Sequence, residues 1–358
     1  MRIAIDATPL IGPRTGIGVF VEELLRSFRN YIPENADYQV AEYTLSLKAR
    51  ITGSTHGYWV PLSARAAPVV WRAFDRPKIE RFVGDIDVVH GTNFVVPPSR
   101  VPRVISVHDL SFLNDSRRFR NSTRRFDHSV REAVNSGATV HTISHYVAEE
   151  LRDRYGVEDI RVVYPGVERQ MAPAKPTSEK PTLLAVAATN QRKGLADLVK
   201  AFQTVARENE IVELQLVGPA GDAEGEVNKS IQMLPDAIRS RVHRFGYVER
   251  EQRNRLINNA TILVHPSHYE GFGFPILEAM SMGTPVVTTT GGAIPEIAGD
   301  AALKVHPGDV DALADVITRV LANEDLRNRF SAAGIDRSQK FSWKETAEGM
   351  FDLYRSLL

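Results

Sequence analysis

Two carboxylates stand eight positions apart in His268-Tyr-Glu-Gly-Phe-Gly-Phe-Pro-Ile-Leu-Glu278, around a turn of small residues. Gly271 and Gly273 free the backbone there, and Pro275 suits the first turn of a helix. The apolar run 260–266 before the turn reads as a buried strand, and 280–290 after it as a helix end followed by another strand. A strand, a glycine turn and a helix N-terminus leave backbone N–H groups without partners, which suit phosphate or sugar oxygens. Glu270 and Glu278 can accept hydrogen bonds from hydroxyls. Together these residues fit a polyhydroxylated, phosphorylated ligand.

Other residues could act on the same ligand. Arg192-Lys193-Gly194 follows a strand at 182–187 and opens the next helix, where two cations can neutralise a leaving diphosphate. His108, with Asp109, ends a strand at 103–107 and can donate to a sugar hydroxyl or a developing oxyanion. Gly16 and Gly18, in Arg14-Thr-Gly-Ile-Gly18, either let backbone approach a phosphate or form a plain turn. Asp85-Ile-Asp87 has the look of a metal-binding pair of acids, but it leads into a strand instead of ending one. His265 and His268 have a spacing that can ligate zinc, yet no third ligand sits nearby in sequence. No metal site is expected.

The segment E-G-F-G-F-P-I-L-E followed by A-M-S-M-G-T-P-V-V resembles the Glu-x7-Glu motif of the retaining glycosyltransferases of family 4, which have the GT-B fold. The likeness extends from Ile3-Ala-Ile-Asp6 through Val163-Tyr-Pro-Gly-Val167 to Pro295-Glu-Ile-Ala-Gly-Asp-Ala-Ala302. It implies two Rossmann-like domains facing across a cleft and transfer of a sugar from a nucleotide diphosphate with retention of configuration. Arg192 and Lys193 would then clamp the diphosphate, and Glu270 with the Gly271, Phe272, Gly273 and Phe274 backbone would hold the sugar. Glu278 would bind the ribose, with Leu277 beside it. His108 would contact the sugar, and Gly16 and Gly18 the diphosphate and acceptor. His90-Gly-Thr-Asn93 reads as acceptor-side wall, and Ser144 as a helix cap.

Strand-like runs alternate with helical patterns throughout, which predicts α/β architecture with parallel sheets. Strands are expected over 2–5, 38–43, 88–90, 103–107 and 139–143, then 182–187, 213–217, 242–245, 261–264 and 285–289. Helices are expected over 18–31, 122–136, 146–155, 194–208, 250–259, 275–282 and 310–323. The polar, proline-rich stretch 167–181 reads as a linker. An acceptor-binding domain over 1–170, a nucleotide-sugar domain over 171–340 and a C-terminal helix over 341–358, capped by Ser342 and returning to the first domain, follow from the likeness.

Length and composition set the outer limits. With 358 residues, two domains are the natural expectation. Forty-four basic and 44 acidic residues cancel, so no general attraction to nucleic acid is implied. The absence of cysteine excludes disulfides and fits a cytoplasmic protein. No run approaches the length of a membrane span, so any membrane contact would be peripheral. Arg117, Arg118, Arg120, Arg124 and Arg125 could supply it through anionic lipid or a polyprenyl diphosphate, or simply start a solvated helix. No cofactor beyond the donor is expected. GDP-mannose is the first choice of donor, with transfer to a glycan or lipid-linked acceptor. UDP-glucose, UDP-N-acetylglucosamine and dTDP-rhamnose are the alternatives, and a nucleotide-sugar epimerase or hydrolase is the competing class.

Overall fold

The computed structural model describes residues 1–12, 16–33, 36–63, 66–114, 120–168 and 180–358, without the side chains of Arg72, Asn114 and 120–124. Much of the expected linker and the arginines at 117 and 118 lie outside these residues. The chain forms two compact units, one made of Met1–Gly166 with Ser342–Leu358 and the other of Val167–Phe341.

Unit 1 is built on seven strands: β1 (Arg2–Asp6), β2 (Gln39–Thr44), β3 (Tyr58–Trp59), β4 (Val88–Gly91), β5 (Arg103–Val107), β6 (Thr139–Thr142) and β7 (Ile160–Val162). All pair in parallel, in the order β3-β2-β1-β4-β5-β6-β7. Unit 2 carries β8 (Thr182–Val186), β9 (Glu213–Val217), β10 (Val242–Gly246), β11 (Ile262–His265), β12 (Val286–Thr289) and β13 (Leu303–Val305). Their order is β10-β9-β8-β11-β12-β13, again parallel. Each is a doubly wound, Rossmann-like sheet. Strand order reverses between β1 and β4 in one and between β8 and β11 in the other. Such switch points open a crevice outside the carboxyl ends of the two strands.

The central strands are apolar on both faces because helices cover both, as parallel sheets require. In unit 2, Leu195, Leu198, Val199, Phe202 and Val205 of the helix Leu195–Glu208 pack into a core with Leu183, Leu214 and Val264. In unit 1, the helix Gly16–Tyr31 buries Phe20, Val21, Leu24 and Phe28. The C-terminal helix Trp343–Arg355 belongs to this unit. Ser342 Oγ caps it by accepting from Glu345 N at 3.1 Å. Its Met350, Phe351 and Tyr354 are buried, each contributing roughly 1.5–3 kcal/mol of apolar burial. Thr346 Oγ1 also donates to the Tyr164 carbonyl at 2.7 Å.

Ten strands lie within a residue or two of their expected positions. The three that the sequence reading lacks, β3, β7 and β13, are all edge strands of two or three residues. The helix Glu324–Ser338 is also additional, with Asn323 ending one helix and capping the next through Oδ1 and Leu326 N, 2.9 Å apart.

Candidate active site

In unit 2 the turn after β8 and the loop after β11 meet at the switch point. Gln191–Lys193 forms a single 3₁₀ turn that Gly194 ends with φ +63° before the helix Leu195–Glu208 begins. Arg192 and Lys193 therefore stand on the turn between strand and helix, just ahead of the helix itself. Gly194 needs its lack of a side chain twice over. Its φ lies in the left-handed region, and a Cβ there would collide with the Pro266 carbonyl. The Arg192 carbonyl accepts from His268 N at 2.7 Å, so backbone ties the two loops together.

Glu270 sits where those loops join and is buried. Its Oε1 accepts from His265 Nε2 and Ser267 Oγ, each at 2.8 Å, and from Lys193 Nζ. Arg192 Nη1 donates to Oε2 at 3.2 Å and to the Tyr269 carbonyl at 3.1 Å. The Glu270 carbonyl accepts from Ala293 N at 2.8 Å, and Gly292, at φ +65°, leaves no room for a Cβ beside it. Burial pushes the Glu270 carboxyl upward, but Lys193, His265 and Arg192 outweigh it and hold the group well below the usual carboxylate range. The Lys193 and Arg192 side chains keep 14% and 31% of their surface exposed, so both cations remain reachable by an anion.

Glu278 lies on the helix Phe274–Ser281, which begins after Gly273 at φ +106° and carries Pro275 in its first turn. Its Oε1 accepts from Arg253 Nη2 at 2.7 Å. Burial raises its carboxyl, with Arg253 and Arg250 opposing. The side chains of Phe272 and Leu277 are buried, leaving backbone as what this turn can offer a ligand. The two histidines with zinc-like spacing separate, since His265 faces Glu270 whereas His268 Nε2 pairs with Asp197 Oδ2 at 2.8 Å. Among the described residues no group of three or more His, Cys, Asp or Glu could hold a metal ion. Asp87 Oδ2 accepts from Arg2 N at 2.6 Å, at the amino end of β4 and far from its carboxyl end.

In unit 1, His108 follows β5 and is buried, its ring edge-on to Phe20 at 5.2 Å. Nε2 is 2.8 Å from the Thr92 carbonyl, which can only accept, so Nε2 carries the proton. Burial holds the ring neutral, lowering its pKa against Thr92 and Asp109. The donor role expected of His108 is thus already spent on Thr92, and Nδ1 is left as an acceptor. His90, read as acceptor-side wall, is instead core, with Nδ1 2.7 Å from Tyr354 OH and Nε2 2.7 Å from Ser106 Oγ. Ser144 Oγ caps the next helix, accepting from Val147 N at 3.2 Å. Gly16 and Gly18 fall within the first turn of the helix Gly16–Tyr31, not in a free loop, and residues 13–15 lie outside the described residues.

The sequence reading missed His265 and Ser267 as partners of Glu270. A histidine ending a strand five residues before a loop glutamate is the one local signal, and the same residue equally fits a zinc spacing with His268.

Residues 15–170 match the family model described as Glycosyltransferase Family 4, and residues 167–337 match Glycosyl transferases group 1. The chain is 28% identical to O-antigen chain mannosyltransferase B of Escherichia coli over all of both chains. It is 31% identical to the MMP alpha-(1->4)-mannosyltransferase of Mycolicibacterium hassiacum over 61% of this chain and 54% of the relative. Among solved structures, Anabaena HepE in complex with UDP-glucose superposes with a TM-score of 0.77 at 19% identity over all of both chains. Sucrose-phosphate synthase from Thermosynechococcus elongatus does so with 0.77 at 20% identity, covering 99% of this chain and 98% of the other.

Proposed function

The chain is a glycosyltransferase of the family 4 type with the GT-B fold, and from that membership we propose that it moves mannose from GDP-mannose to a glycan or lipid-linked acceptor with retention of configuration. The observation that carries this reading is the Lys193–Glu270–Arg192 cluster at the switch point of unit 2. Before donor arrives, the two cations are neutralised by a carboxylate. A diphosphate brings stronger negative charge and draws Lys193 and Arg192 toward itself. Glu270 then keeps His265 and Ser267 on Oε1 and turns Oε2 toward sugar hydroxyls. In the transfer, the bond from the anomeric carbon to the diphosphate breaks as the bond to the acceptor oxygen forms on the same face. The hydroxyl proton leaves with the departing phosphate oxygen. Charge stabilisation at the leaving group is the protein's main contribution. Glu270 is no free nucleophile here, because four donors engage it.

In this reading the backbone of Gly271–Phe274 and the Phe274–Ser281 helix start hold sugar and phosphate oxygens, and His108 Nδ1 accepts from a sugar hydroxyl. Glu278 reaches a ribose only in concert with Arg253, its present partner. Mannose is favoured by the name of the relative that matches over the whole chain. A uridine diphosphate sugar is the second reading, since the HepE title names UDP-glucose. Among the described residues no helix is long and apolar enough to cross a membrane; contact with a lipid-linked acceptor would be peripheral, on the cytoplasmic side.

The test is incubation with GDP-mannose, UDP-glucose, UDP-N-acetylglucosamine and dTDP-rhamnose, each with and without methyl and octyl α-D-mannopyranoside and a polyprenyl diphosphate sugar. Acceptor-dependent release of nucleoside diphosphate from GDP-mannose supports the proposal. Release from another donor replaces mannose. Sugar interconversion without acceptor overturns transfer altogether.

A further inference from the structure

The switch point of unit 1 holds a buried carboxylate that the mechanism above does not use. Asp6 is the last residue of β1, beside β4, and is 3% exposed. Its Oδ1 accepts from Thr8 N at 2.9 Å and from Thr8 Oγ1. That hydroxyl in turn accepts from Leu45 N at 2.9 Å, which fixes it. Asp6 Oδ2 has no hydrogen bond among the described residues. That oxygen sits in a nearly buried residue and has only the little solvent that reaches it as a partner, which leaves it open to a donor from a ligand. Perturbed carboxylates at such crevices are candidates for ligand contact.

Thr92, just beyond β4, fastens Asp6 to His108. Thr92 Oγ1 donates to the Asp6 carbonyl at 2.7 Å, and the Thr92 carbonyl accepts from His108 Nε2 at 2.8 Å. The result is a rigid set at the carboxyl ends of β1, β4 and β5, where ligands enter such sheets. It ends in two acceptor atoms, Asp6 Oδ2 and His108 Nδ1. Acceptors with no donors of their own suit a ligand rich in hydroxyls, and burial excludes a cation that must keep its water. The Asp6 carboxyl, raised to about 6 by burial against the two Thr8 bonds, is still mostly ionised at pH 7 and so able to accept.

We propose that Asp6 binds the sugar acceptor, its Oδ2 receiving a hydroxyl of the incoming polyol. This rests on the transferase reading and adds to it a named acceptor-binding residue. Asp6→Asn is the decisive variant, because the Asn side-chain oxygen still accepts from Thr8 and so keeps the turn, while the charge and the Oδ2 acceptor are lost. Initial rates are measured with the donor the panel identifies, at varied donor and at varied methyl α-D-mannopyranoside, or whichever panel acceptor the wild type uses. The expected result is a fall in kcat/KM for acceptor of roughly 10- to 100-fold, the range for losing a hydrogen bond to a charged group. Donor KM should stay within about twofold. Asp6→Ala, which also loses the turn, should lose acceptor use at least as far and show a lower melting temperature. Asp6→Asn with acceptor kinetics within about threefold of wild type overturns the assignment while leaving the transferase reading intact. Equal loss toward donor and acceptor also overturns it. A wild type that turns over no nucleotide sugar with any acceptor defeats the transferase reading, and this one with it.

Discussion

Tyr354 and His90 are 264 positions apart in sequence and joined by a 2.7 Å hydrogen bond between the phenol oxygen and Nδ1. The direction of that bond follows from the far end of the chain it belongs to. His141 Nε2 faces the Val163 carbonyl at 3.4 Å, so it carries a proton and Nδ1 must accept. Ser106 Oγ therefore donates to His141 Nδ1 at 2.8 Å and accepts from His90 Nε2, which leaves His90 Nδ1 to accept from Tyr354. Every donor and acceptor is matched with both rings neutral. Tyr354→Phe leaves His90 Nδ1 buried without a donor and should destabilise by about 1–3 kcal/mol. Denaturant unfolding of the variant checks this; an unchanged midpoint would refute the chain.

Acid should attack the same chain. Burial lowers the pKa of His90, aided by His141 and His108, and takes His141 down to about 3. His108 is lowered too. Groups whose folded pKa lies below the unfolded value of about 6.5 add stability that is present above that value and lost as pH falls below it. The melting temperature should decline from about pH 6.5 downward. Flat stability down to pH 4 would contradict this.

Asp6 works in the opposite sense. Its folded pKa is raised from 3.8 to about 6, so the stability it adds is present below pH 3.8 and lost as pH rises through 6. The ionised group costs on the order of 1–3 kcal/mol at pH 7.5. Asp6→Asn should thus melt higher than wild type at pH 7.5 and show no gain at pH 3.5. A lower melting temperature at pH 7.5 would mean that the charge stabilises the fold.

The ion pairs of Glu270 predict an inversion between binding and turnover. Glu270→Gln removes the anion that competes for Lys193 and Arg192, so nucleoside diphosphate should bind several-fold tighter by calorimetry. Sugar transfer should nevertheless fall about 100-fold or more, as when one charge-stabilising group is lost. Weaker diphosphate binding by this variant would show that Glu270 does not hold the cations back.

Lys193→Ala should lose about 100- to 1,000-fold in kcat. Circular dichroism should remain that of a folded protein, because the lysine lies at the rim and His265, Ser267 and Arg192 still satisfy Glu270. Near-wild-type turnover would remove Lys193 from the chemistry.

Architecture was legible in the sequence because buried parallel strands such as β8 and β11 are short apolar runs set between helical periods. The edge strand β3, Tyr58–Trp59, shows no period in two residues and depends on its pairing with Tyr43 and Thr44. Glu270, Lys193 and Arg192 were legible as a group through the resemblance. Their mutual neutralisation was not, since it depends on Gly194 and Pro266 bringing two loops into contact. Likewise, nothing local in Val88-Val89-His90 tells that His90 serves the C-terminal helix and not a ligand. Sequence shows which side chains stand at strand ends; tertiary contacts decide which of their atoms are already taken.

The assignment of Ser342–Leu358 to unit 1 has a bearing on how the chain is made. A ribosome starts unit 1 first yet completes it last, for Tyr354, Met350 and Trp343 emerge only after all of Val167–Phe341. Unit 2 can close its core on the way out, while His90 and Phe28 wait for the helix that covers them. The half encoded second is thus the half that can fold first, and the first half stays open to chaperones and proteases until synthesis reaches the last helix.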